Sequence, residues 1–336
     1  MKKRIAIVDI LKAVSMILVL IGHTGWEESQ RNILGFPFWV DMAVPIFMIL
    51  SGFVFAMQFD KHGIKSIDEA YGREYVMKNV LRFLIPFLPV YFLEAIVCVY
   101  VGFFRGKGMT LASNILLDFL GGGSGVGSYY VPVMIQFIFL YPFIWTIFRK
   151  GRHPNFVMLI ITLSFELLKF VFDIPESGYR LLIFRHLFLI GFGTYLYIQY
   201  SKKDKMDTRY WLLAPIGAFF ITATCYLGYK SQFFCYWTGT CVISSMFIMP
   251  FVGWTINALS SVQFRMFEMI GKASYNIFLV QQVWFWFGAQ VILFPYIQNQ
   301  FLRVVISCLI CIITGVIYYK IESRITGKLI QKWITK

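Results

Sequence analysis

The sequence predicts an all-α protein, a polytopic membrane helical bundle with about ten transmembrane helices and both termini cytoplasmic. Three observations carry that expectation. The 336 residues are 58% hydrophobic and only 14% charged, with a mean hydropathy of +0.68. Apolar runs near 20 residues recur along the chain, the length a helix rising ~1.5 Å per residue needs to cross a hydrocarbon layer ~30 Å thick. Basic residues crowd into alternate connecting loops, which sets an orientation.

The first expected span, 5–25, follows MKKR. That opening resembles a secretory leader but lacks a small-residue cleavage site and leads into further spans, so it is read as a helix. The others are 38–58, 80–101, 129–148, 156–173, 181–199, 210–228, 233–256, 273–293 and 303–320. Between the second and third spans, 59–78 mixes charges of both signs and reads as a short amphipathic element. The longest outer connection, 102–128, holds GGGSGVGS at 121–128. Those glycines suit a linker, a gate or a close approach of backbone to a ligand. They do not form a Walker-type phosphate loop, because no GK[ST] follows and no strand precedes. No extramembrane segment is long enough to fold alone, so residues 1–336 are expected to form a single membrane-embedded domain with no separate soluble domain.

The formal net charge of +14 would suggest nucleic acid in a soluble protein. Here it reports topology. With the amino terminus inside, cytoplasmic segments hold 21 of the 31 Lys and Arg residues and outer loops hold only Arg31, Arg105, Lys107, Arg180, Lys230 and Arg303. No nucleic-acid partner is expected. Of the six cysteines, Cys98, Cys225, Cys235, Cys241, Cys308 and Cys311, the last two have CxxC spacing, which inside an apolar helix reads as packing. No metal is expected.

Ionisable residues inside spans are costly and mark sites unless they face a protein or water-filled interior. The first span carries Asp9, Lys12 and His23. At 100° per residue, Lys12 and His23 lie about 20° apart on one face, separated by about 16 Å of rise, and Asp9 falls about 40° from His23. His23, between glycines in GHTG, is the expected general base, since imidazole titrates near neutrality and can take a hydroxyl proton. Asp9 is the expected orienting partner. Lys12 is too far from His23 to share its reacting atom and is expected to hold a remote part of a donor. Arg82, at the inner end of the third span, suits either snorkelling to the membrane surface or an anionic group such as a cofactor phosphate. Glu94, Glu166, Lys169, Arg185 and His186 complete the intramembrane set. Glu166 and Lys169 are spaced to neutralise one another, and Arg185 is placed to snorkel.

These residues resemble the acyltransferase family 3 of integral-membrane acyltransferases, whose first span carries a basic residue, ten intervening positions and a histidine, matched here by Lys12 and His23. DILK at 9–12, VPIFMILSGFVFA at 44–56, KNVLRFLIPF at 78–87, YYVPVMIQFIFLYP at 129–142, HLFLIGFGTYL at 186–196 and IGKASYNIFLVQQ at 270–282 are similar to further family segments, in the same order. Two departures matter. Lysine replaces the commoner arginine at position 12, which keeps the charge and loses the bidentate grip. Gln281 and Gln282 stand where many members have histidine. The resemblance implies transfer of an acyl group, most often acetyl, from cytoplasmic acyl-CoA to a hydroxyl of an envelope or lipid-linked glycan, in a bacterial plasma membrane and beside polysaccharide-synthesis machinery and membrane lipid. In that reading Lys78 and Arg82 form a basic inner rim for the coenzyme's phosphates, and direct transfer and a covalent intermediate both stay open, with Ser51, Tyr129 and Tyr130 the candidates for the latter by position. The competing expectation is a glycan exporter or proton-coupled transporter, in which the same charges line a pathway.

Overall fold

The computed structural model describes residues 5–64, 66–104, 110–230 and 241–334. Lys2, Lys3, Arg4, Arg105, Lys107, Cys235 and the start of the expected 233–256 span lie outside the described residues. All regular structure among the described residues is helical. The α-helices of eight residues or more among the described residues are α1 (Ala6–Gly22), α2 (Ala43–Lys61), α3 (Arg73–Tyr100), α4 (Leu111–Leu120), α5 (Tyr130–Lys150) and α6 (Pro154–Val171), then α7 (Leu187–Lys202), α8 (Leu213–Ile221), α9 (Met249–Ala258), α10 (Arg265–Lys272), α11 (Ser274–Val283), which runs on as a π-helix over Trp284–Leu293, and α12 (Gln300–Ile334).

Six stretches among the described residues are long and apolar enough to cross a membrane: Phe36–Lys61, Ile67–Tyr100, Tyr130–Lys150, Pro154–Val171, Ser274–Leu293 and Gln300–Trp333. The other expected spans fall short of that length for local reasons. α1 has 17 residues because His23 already leaves helical geometry at its carboxyl end. α7 has 16 because the preceding Ile183–His186 winds as a 3-10 turn. The 210–228 segment divides into a 3-10 turn, α8 and a π turn.

The chain forms two compact units. One takes residues up to Ala70 together with Leu140–Lys272, the other Tyr71–Phe139 together with the chain from Ala273. In the first unit, α2 and α7 are the closest pair, and the cause is two glycines. A Cβ on Gly193 would sit 1.8 Å from the Ile49 carbonyl oxygen, and one on Gly52 would sit 2.0 Å from that of Ile190. Backbone therefore meets backbone, the small-residue packing that joins helices in lipid, where apolar side chains gain nothing from leaving the solvent. α1 packs on α10 in the same way, with Gly271 against the Asp9 carbonyl.

The second unit is built around α3. Phe87, Tyr91, Ala95, Val131 and Leu279 form its buried centre, with Phe119, Tyr275, Phe278 and Tyr318 packed against them. α3 contains Pro86 and Pro89, which cannot donate to the preceding turn. Neighbouring helices brace the same stretch of α3. Tyr275 on α11 donates to the Phe83 carbonyl at 2.9 Å, and Tyr318 on α12 donates to that of Pro86 at 2.5 Å.

Candidate active site

α1 carries three of the expected site residues. Asp9 is buried, 3% exposed, where α10 covers its backbone; Lys12 and His23 are half-buried. Fourteen residues of continuous helix hold Asp9 and His23 about 21 Å apart. They cannot exchange a proton, so the pairing of Asp9 with His23 as catalytic partners is not made. Asp9 lies one turn from Lys12 instead.

His23 ends α1 with its backbone N–H on the Val19 and Leu20 carbonyls. The next two carbonyls are capped by side chains from the following loop. Thr24 and Trp26 both donate to Ile21 at 2.8 Å, and Arg31 reaches Gly22 at 3.4 Å. Arg31 is paired with Asp41 at 2.5 Å and lies 5.3 Å from the ring centre of Phe36, which Trp26 meets edge-on at 5.0 Å. A cation at a helix carboxyl end complements the helix dipole, and its tether to buried Asp41 fixes the segment that carries His23. Arg31 and Asp41 were not singled out in the sequence. The usable signal was Asp41, a carboxylate at the entrance of an apolar span.

At the opposite end of α1, Ile5 lines a cavity of about 860 Å³ with Met57, Tyr200, Lys203, Lys205, Trp211, Trp254 and Asn257 among its other walls. That volume lies in the range of ~300–1,000 Å³ typical of ligand sites. Lys203 and Lys205 outweigh the intervening Asp204 by one charge, and with two exposed indoles they suit the cavity to an anionic group joined to a flat ring. Lys203 closes α7 in left-handed geometry, φ 62°, and the turn that follows contributes Asp204, Lys205 and Met206 to the cavity wall. From Ile5, Lys12 is about 10 Å along α1 and His23 about 27 Å.

Lys78 and Arg82 belong to the second unit, on one face of α3, half-buried and exposed respectively. Ser51 donates its hydroxyl to the Phe47 carbonyl at 2.8 Å, the habit of a mid-helix serine, and Tyr130 packs on Phe278 at 5.0 Å. Glu166, Lys169 and Arg185 form a braced network in the first unit with Glu176 and Tyr179. Arg185 is 1% exposed and therefore does not snorkel. It grips Glu176 bidentately at 2.8 and 3.0 Å, Lys169 reaches the same carboxylate at 3.3 Å, and Tyr179 lies under both cations while donating to Glu166 at 3.1 Å. Glu176, outside the expected spans, is the hub, so Lys169 has a partner beyond its helical neighbour Glu166.

Helices of this length and apolarity, joined by backbone contact and holding charge at both ends of α1, define a multi-pass membrane protein with an internal polar site. The chain belongs to the acyltransferase family 3: the family model, described as an acyltransferase domain, matches residues 5–320, nearly the whole chain. No curated protein and no solved structure matches it.

Proposed function

We propose that this membrane acyltransferase moves an acetyl or related acyl group from cytoplasmic acyl-CoA to a hydroxyl of a cell-envelope or exported polysaccharide. One observation carries the reading. A single helix has a basic, aromatic cavity at its start, a lysine along its length and a fixed histidine at its end. Residues 200–209, which supply Lys203 and Lys205, are the segment that the charge pattern assigns to the cytoplasm. The donor's ring and phosphates fit Trp211, Trp254, Lys203 and Lys205, and its extended arm runs along α1 past Lys12. Lys78 and Arg82, one turn apart on α3, present a separate basic face that suits an anionic group. In this reading ten segments cross a bacterial plasma membrane and both termini are cytoplasmic.

The chemistry follows from His23. Its ring takes the acceptor's hydroxyl proton as the oxygen attacks the thioester carbonyl. A carbon–oxygen bond forms, the carbon–sulfur bond breaks, and the thiolate leaves and recovers the proton. Lys12 supplies charge to the donor.

The test uses proteoliposomes with radiolabelled acetyl-CoA and envelope polysaccharide. Wild-type protein should label the polysaccharide, and His23→Gln should lower the rate by about 10²- to 10⁴-fold while melting normally. Full transfer by that variant removes His23 from the chemistry. Polysaccharide that crosses the bilayer without acylation establishes an exporter instead.

A further inference from the structure

Glu94, Gln281 and Gln282 are each 0% exposed, in the unit that also holds the glycine-rich segment 121–128. Both polar atoms of the Gln282 amide, Oε1 of Gln281 and the indole nitrogen of Trp284 two residues further on have no hydrogen-bond partner, while the Glu94 carboxylate lies against the backbone N–H groups of Ser124 and Gly125. Folded proteins pair about nine in ten buried polar atoms. Such a concentration of orphans in one unit points to a ligand that completes them.

The glycine segment brings these groups together. Ser124 donates to Asp118 at 2.5 Å, which ties the segment to α4. A Cβ on Gly123 would come within 2.5 Å of Glu94 Oε2, and one on Gly125 within 2.6 Å of Gln282 Cβ. Gln281 donates to the Val126 carbonyl at 3.0 Å. Two residues of chain span at most about 7 Å, so Glu94 and Gln282 border the same short run of backbone. Glycine is needed at 123 and 125 for close approach rather than for slack, and Gly123, at φ 102°, also adopts a backbone that side chains avoid.

The donor and acceptor inventory selects the ligand. Glu94 and the amide oxygens accept, while Gln282 Nε2 and Trp284 Nε1 donate. An anion would meet the Glu94 carboxylate, and a bare cation would leave the N–H groups unmet. Hydroxyl groups donate and accept together, and a sugar presents several. We propose that Glu94, Gln281 and Gln282 beneath the glycine segment form a binding site for the hydroxyl groups of the sugar acceptor. The proposal rests on the acyl-transfer reading above and extends it. The glutamines at 281 and 282 bind the acceptor and move no proton, since an amide does not titrate.

The experiment uses the full-length protein in nanodiscs, with purified envelope polysaccharide of the producing cell as probe. Binding is measured by equilibrium dialysis without donor, and transfer kinetics are measured with acetyl-CoA. Glu94→Gln, Gln281→Leu and Gln282→Leu should each raise Kd and KM for polysaccharide about tenfold, with KM for acetyl-CoA within about twofold of wild type. Gln282→Leu should melt no lower than wild type, because an apolar side chain of similar size removes an orphan amide. Unchanged polysaccharide affinity in folded Gln282→Leu overturns the proposal. So does stoichiometric sodium or calcium in the purified protein that disappears in Glu94→Gln, which marks a cation site. If the variants lose polysaccharide binding while wild-type protein transfers no acyl group, the sugar site stands and the acyl-transfer reading fails. If wild-type protein transfers the acyl group and the variants keep unaltered acceptor affinity, acyl transfer stands and the sugar site fails.

Discussion

Asp41→Asn tests whether the loop after α1 holds His23 in place. The substitution keeps size and removes charge. Arg31 then loses a partner at 2.5 Å, with side-chain exposures of 20% for Arg31 and 4% for Asp41. Removing one member of a buried ion pair costs about 3–5 kcal/mol. Arg31 retains some water, so we expect about 2 kcal/mol, which lowers the melting temperature by roughly 3 °C in a chain of this size. Arg31 also caps Gly22, the residue before His23. Loosening that cap should displace the imidazole, and a misplacement of about 1 Å can cost up to a hundredfold in rate. The assay is polysaccharide acetylation at saturating acetyl-CoA alongside thermal unfolding, closed as a double-mutant cycle with Arg31→Gln. A coupling below about 0.5 kcal/mol, or a rate within twofold of wild type, refutes the reasoning.

Lys203→Gly should raise KM for acetyl-CoA severalfold by removing a cavity charge, while relief of its left-handed backbone leaves the melting temperature equal or higher; a donor KM equal to wild type takes Lys203 out of the donor site. Gly193→Ala places a methyl 1.8 Å from a backbone oxygen and should destabilise by about 3 kcal/mol, read as a drop in melting temperature of several degrees. Tyr318→Phe removes the side-chain bond from α12 to the Pro86 carbonyl and should cost about 1 kcal/mol, visible as faster hydrogen exchange through α3. Wild-type exchange rates there would show that the proline turn needs no outside support.

Several features were legible in the sequence alone. Periodicity and length disclose helices because a membrane helix must be apolar over its whole crossing, and Lys12 and His23 stand out because lipid excludes charge. The family order of short segments was legible as well, and the match over residues 5–320 bears it out. The boundaries of the shorter spans were not, because hydropathy is blind to a 3-10 or π turn that leaves composition unchanged. Arg185 illustrates a further limit. Its position near a span end suggested a side chain reaching for water, whereas a partner nine residues earlier, Glu176, neutralises it inside the protein.

The sequence by itself determined that this chain is helical, membrane-embedded and equipped with a histidine at the end of its first apolar segment. Those are local properties, set by each residue's cost in lipid and its place on a 3.6-residue turn. Only the tertiary structure decided what the polar residues meet. It fixed Arg31 beside the end of α1, assembled a cavity from residues between 5 and 260, and laid the glycine segment over Glu94 and Gln282. Such pairings depend on which backbones can touch, and that is settled by glycines whose missing side chains matter only when another helix arrives.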